Sequence, residues 1–196
     1  VELVLALKIR GEAEAEAQEI GSPALFGGRD HHRARAGIAL DPTYGALYNG
    51  LGWAEYYRVY SHAPRCDNTA QDDPARARYI QGVVNAIAAF DQGVKIDTAN
   101  GTYYRTLAQL NYILAYCNPE YGRIPQLIVS LDDYDQAIQR APQAIWFYRQ
   151  GTINIELGNN YRDAGQTEEA QRQYELAKTA LLNAVAANPL EPVYWS

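Results

Sequence analysis

The strongest constraint in this sequence is a recurring punctuation. Ala39-Leu40-Asp41-Pro42, Lys95-Ile96-Asp97-Thr98, Gln139-Arg140-Ala141-Pro142 and Ala186-Ala187-Asn188-Pro189 each close an apolar-periodic segment. Aromatics follow each within a few residues: Tyr44 and Tyr48, Tyr103 and Tyr104, Trp146 and Tyr148, then Tyr194 and Trp195. The closing positions are spaced by 56, 44 and 47 residues. Proline has no N–H for a helix interior and disfavours α geometry in the residue before it, yet it is accepted in a first turn. Each corner proline therefore ends one helix and opens the next. Self-similarity at intervals of this kind marks a repeat architecture.

Between the corners, apolar periodicity predicts helices over 28–40, 44–61, 74–96, 101–117, 123–140, 143–164 and 167–187. A further helix is expected over 1–19, and another from 192. Asp73-Pro74 combines a capping carboxylate with a first-turn proline. Gly165-Gln166-Thr167 reads as a turn, and Glu168 and Glu169 suit the first turn of the helix after it. Ile124 to Leu131 has some strand character, but Pro125 and the Asp-Asp-Tyr pattern that follows favour helix.

Composition bounds the rest. Apolar residues make up 47% and charged residues 20%, as in an ordinary soluble domain, so disorder is not expected. The net charge of −6 and the pI near 5.1 give no basic face for nucleic acid. No apolar run is long enough to span a membrane, and the start, Val1 to Ile9, lacks the pattern of a signal peptide. Arg outnumbers Lys 14 to 3, which points to a GC-rich bacterial genome. The chain begins with Val, contains no Met and ends at Tyr194-Trp195-Ser196, so a piece of a longer protein is expected.

Leu157-Gly158, Tyr161, Gly165, Ala170, Tyr174 and Ala177 fall at the spacing of a known signature: Leu-Gly, an aromatic three on, a turn glycine, then Ala, aromatic and Ala on a second helix. Tyr48, Leu51 and Gly52 fit the first helix of an earlier unit, and Phe90, Gly93 and Asp97 a second helix. Tyr104, Leu107 and Ala108, with Tyr134, Ala137 and Pro142, fit another unit. On these residues the chain resembles the tetratricopeptide repeat family over roughly 28–196. The resemblance implies one all-α domain over 1–196, antiparallel helix pairs stacked as a right-handed superhelical solenoid. Its units would lie near 1–42, 43–98, 99–142 and 143–189, with another starting at 190–196. The sequence departs from the family in its longer period, in a helix extended to Pro189 and in an insertion from Ser61 to Asp73. Apolar residues on more than one face of each pair call for stacked neighbours, and a generic helical bundle is the alternative.

The family's first helices line a concave groove. By that register Asn49, Trp53, Tyr56, Arg105, Gln109, Tyr112, Asn159 and Arg162 would face a peptide or protein. The family's clamp for a terminal carboxylate is not present as such, because the matching positions hold Asn49, Trp53 and Arg105 with no Lys. Sixteen Tyr against three Phe suit half-buried surfaces, with Tyr48, Tyr104, Tyr134, Tyr161 and Tyr174 expected in packing positions.

No catalytic constellation emerges, and no cofactor or metal is expected. Asp30-His31-His32 cannot converge on one ion, since adjacent helical residues point about 100° apart. Gly50-Leu51-Gly52 lacks a third glycine, Glu55 standing in its place, and no strand precedes it. The doublets Asp72-Asp73 and Asp132-Asp133 read as first-turn acids rather than acid–base pairs. Ser61-His62 reads as a helix end. Asn100-Gly101-Thr102 matches a glycosylation acceptor, at near-chance frequency. Cys66 and Cys117 fall at helix ends that would be neighbours in a stacked array. They are either a disulfide, implying an extracytoplasmic setting, or two unrelated thiols in a cytoplasmic one. The expected function is a non-catalytic interaction scaffold. The alternatives are a soluble appendage of a larger bacterial membrane enzyme, such as a glycan ligase or polymerase, and a structural subunit that self-associates.

Overall fold

The computed structural model describes residues 28–60, 66, 72–118 and 122–191. Among the described residues there are seven α-helices and no strand: α1 (Gly28–Leu40), α2 (Gly45–Tyr60), α3 (Pro74–Ile96), α4 (Gly101–Cys117), α5 (Arg123–Arg140), α6 (Ala144–Asp163) and α7 (Thr167–Ala187). The helices expected over 1–19 and from 192, and Ser61-His62, lie outside the described residues.

Local chemistry sets the helix ends. Asp73 Oδ1 accepts the N–H of Ala75 and Pro74 occupies the first turn of α3. Asn100 Oδ1 likewise accepts from Thr102 to start α4. That amide oxygen is thus already in use at the acceptor triplet read above. Between α6 and α7, Gln166 N–H donates to Tyr161 O and Gly165 N–H to Arg162 O. These are the paired bonds of a Schellman turn, and Gly165 takes the left-handed conformation they require (φ 77°). Asp132 and Asp133 do not sit in a first turn. They fall in the middle of α5, which begins nine residues before Asp132.

The helices pack on their neighbours in sequence, most extensively as the pairs α2/α3, α4/α5 and α6/α7. A small residue on the first helix of each pair lets the second approach. A Cβ on Gly52 would lie 2.6 Å from the Phe90 ring, and one on Gly158 would lie 2.5 Å from Tyr174. In the middle pair the close contact is polar: fully buried Ser130 donates through Oγ to Ala108 O at 2.7 Å.

α4 is covered on two sides. Tyr103, Leu107, Leu110, Leu114 and Cys117, at steps of four and three, join Tyr57, Val83 and Phe90 in a core with α2 and α3. Tyr104, Ala108, Tyr112 and Ala115 join Leu127, Tyr134, Trp146 and Leu157 in a second core with α5 and α6. Each fully buried large apolar side chain contributes about 1.5–3 kcal/mol, so α4 is held chiefly by these two faces. Cys66 and Cys117 form a disulfide with Cα atoms 4.9 Å apart, closing 51 residues of sequence onto the end of α4. Arg76 Nε donates to Cys117 O beside it at 3.0 Å. No described helix is long and apolar enough to cross a membrane.

Candidate functional site

The alternate helices α2, α4 and α6 carry the residues expected to line a groove, and their fates differ. On α4, Arg105, Gln109, Tyr112 and Tyr116 follow one another at helical spacing. Arg105 is buried and donates through Nη1 to Gln109 Oε1 at 2.8 Å, which fixes both side chains. Tyr112 is half-buried and its ring meets Tyr116 at 5.0 Å between centroids. The Arg123 guanidinium covers the Tyr116 ring at 4.6 Å.

The Tyr112 hydroxyl donates to Glu156 Oε1 on α6 at 2.7 Å. Burial, then the neighbouring Glu156 charge, pushes the Tyr112 phenol far above its ordinary range, so it is a permanent donor. Glu156 is itself 8% exposed. The seam between α4 and α6 is therefore a fixed polar contact flanked by half-exposed aromatic rings.

On α2, Asn49 is half-exposed. Trp53 is also half-exposed; it stacks on Tyr57 at 5.4 Å and meets Phe90 edge-on at 5.5 Å. Tyr56 does not face a groove. It is 8% exposed, packed among Tyr57 and Tyr60 and hydrogen-bonded to Tyr79 on α3. Burial holds both the Tyr56 and Tyr79 phenols above their ordinary range, Tyr79 at about 12.

On α6, Asn159 turns to its own pair, accepting from the Tyr174 hydroxyl at 2.9 Å. Arg162 is exposed and pairs with adjacent Asp163 at 3.2 Å. The structure thus brings Arg105, Gln109 and Tyr112 together and leaves Tyr56, Asn159 and Arg162 out of that set.

Two polar centres, Glu55 and Glu156, went unread in the sequence, and a third, Asp133, was read only as a first-turn acid. Glu55, 3% exposed, receives His31 at 2.7 Å, Arg35 at 3.3 Å and Arg58 at 3.1 Å. Burial pushes its carboxyl up, but the hydrogen bonds and charges of His31 and Arg58 outweigh this and hold it below the usual range. Its signal was the lone carboxylate in an aromatic helix with Arg58 three residues on. Asp133 accepts from Asn111 Nδ2 at 2.9 Å. Burial, opposed by that bond and reinforced by Asp91 and Asp132, moves its carboxyl up to about 7.

Among the described residues no group of three or more His, Cys, Asp or Glu side chains converges as metal ligands would. His31 and His32 meet edge to face at 5.6 Å, and His31 is turned to Glu55. No protein-family model matches the chain, and no curated protein matches it.

Proposed function

We propose that this chain is an interaction scaffold: a divergent tetratricopeptide-like solenoid that receives a peptide or protein segment on the face of α2, α4 and α6. The observation that carries the reading is the α4–α6 seam. There, Tyr112 and Glu156 are locked together while the flanking Gln109 and Tyr116 stay half-exposed. A surface of rigid aromatics and fixed amides loses little entropy on binding, and buried aromatic anchors carry much of the energy at protein interfaces. The small-residue contacts at Gly52 and Gly158 and the two-sided core of α4 support a repeated stacked unit. The Cys66–Cys117 bond supports an oxidising, extracytoplasmic setting.

Selection of displayed random peptides against the whole chain tests this. Selected peptides are expected to protect amides of α2, α4 and α6 from hydrogen exchange and to weaken about tenfold on Gln109→Ala with Tyr116→Ala. Protection confined to α5 and α7, or affinity unchanged in that double variant, would contradict it.

A further inference from the structure

A shallow, largely open cleft of about 300 Å³ lies among α1, α2 and α3. Arg35 of α1, Leu51 and Glu55 of α2, and Asn85, Ala88 and Ala89 of α3 help to line it. It is separate from the face proposed above. Leu51 lies two residues from both Asn49 and Trp53, which at about 100° per residue puts it on the opposite side of α2.

The polar groups of the lining are unequal in kind. Both Glu55 oxygens are engaged, Oε1 by His31 and Arg35 and Oε2 by Arg58, so three basic side chains surround one acid. The Arg35 side chain is 63% exposed and gives one N–H to Glu55, which fixes it at the cleft. The other N–H groups of its fork remain for a ligand. Asn85 Oδ1 accepts from Gln81 Nε2 at 2.9 Å, which leaves the Nδ2 donors of that amide uncommitted by this bond. Tyr48, whose hydroxyl donates to Pro42 O at 3.2 Å, and Gln92 complete the lining, so the cleft offers one cation and amide groups beside aliphatic and aromatic surface. One guanidinium matches the single charge of a carboxylate through two parallel N–H···O bonds, and apolar walls suit an organic acid better than a hydrated inorganic anion.

We infer that this cleft binds an organic carboxylate bearing a short aliphatic group. Arg35 takes the carboxylate, Asn85 adds an N–H, and the aliphatic part lies on Leu51, Ala88 and Ala89. Glu55 is a positioning residue that holds Arg35 in place. The carboxylate belongs to a free small acid or to the end of a peptide, and the probes separate the two.

The test is titration of the whole chain, followed by calorimetry and amide NMR, with four probes: 4-methylpentanoate, 4-methylpentanamide, N-acetyl-Ala-Ala-Leu and its C-terminal amide. Each acid should bind about tenfold or more tightly than its amide, a charge-assisted hydrogen bond being worth about that factor. Shifts should centre on Arg35, Ala88 and Ala89. Arg35→Ala should lose about tenfold in acid affinity while the chain stays folded, His31 and Arg58 remaining on Glu55. Exposed Arg33→Ala should bind as the parent does. Tighter binding of the peptide acid assigns the site to a peptide terminus, and equal binding assigns it to a free acid. Equal affinity for acid and amide, unchanged affinity in Arg35→Ala, or no response to either acid at about 10 mM would overturn the inference.

Discussion

The hydroxyl of Tyr112 on α4 donates to Oε1 of Glu156 on α6 at 2.7 Å, joining two alternate helices past the α5 that lies between them in sequence. Glu156 is 8% exposed, so loss of this donor removes a hydrogen bond from a buried carboxylate. Tyr112→Phe should destabilise the chain by about 1–3 kcal/mol, read as a lower urea midpoint with an unchanged slope. Glu156→Gln retains an acceptor without the charge and should cost less.

Asp133 titrates in an unusual place. Its carboxyl is pushed by burial from 3.8 up to about 7, despite the bond from Asn111. The folded chain then holds this proton more tightly than the unfolded chain. The stability it contributes is full below about pH 4 and is lost as pH rises towards about 7. Asp133→Asn can still accept from Asn111. It should stabilise the chain by about 1–3 kcal/mol at pH 7.5 and by little at pH 4, measured by urea unfolding at the two pH values.

The approach of α6 to α7 rests on a missing methyl. A Cβ at position 158 would lie 2.5 Å from Tyr174, whose hydroxyl is held by Asn159. Gly158→Ala should cost about 1–3 kcal/mol through overpacking. In the Tyr174→Leu background the same change should cost less, and a double-mutant cycle in denaturant measures the coupling.

The Cys66–Cys117 bond closes 51 residues and ties the segment after α2 to the end of α4. A loop of that size restricts the unfolded chain by about 4 kcal/mol on the chain-entropy model. Reduction, or Cys66→Ser with Cys117→Ser, should lower the thermal midpoint accordingly. Parent protein in reductant should match the double variant.

What could be read in the sequence follows from what is local. Helix ends depend on short-range chemistry, so Asp73-Pro74 and Gly165 marked their boundaries to within a residue or so. The Gly52 and Gly158 contacts were legible because a small residue beside Leu at helical spacing has few other uses. The groove was less so. α2 carries Trp53, Tyr56, Tyr57 and Tyr60 around much of its circumference, and periodicity alone cannot say which ring α3 will cover. Tyr79 on α3 decided it for Tyr56, from beyond a long insertion. Asp133 was misread as a first-turn acid and Glu55 was missed for the same reason, since their burial depends on helices distant in sequence.

The most direct test of a binding face on α2, α4 and α6 is site-specific photo-crosslinking by the full chain in its native host. A photoreactive residue at Gln109 or Trp53, both half-exposed, should capture one defined protein. The same residue at exposed Gln139 on α5 should not. Capture of that protein from position 139 alone, or equally from all three positions, would contradict the account.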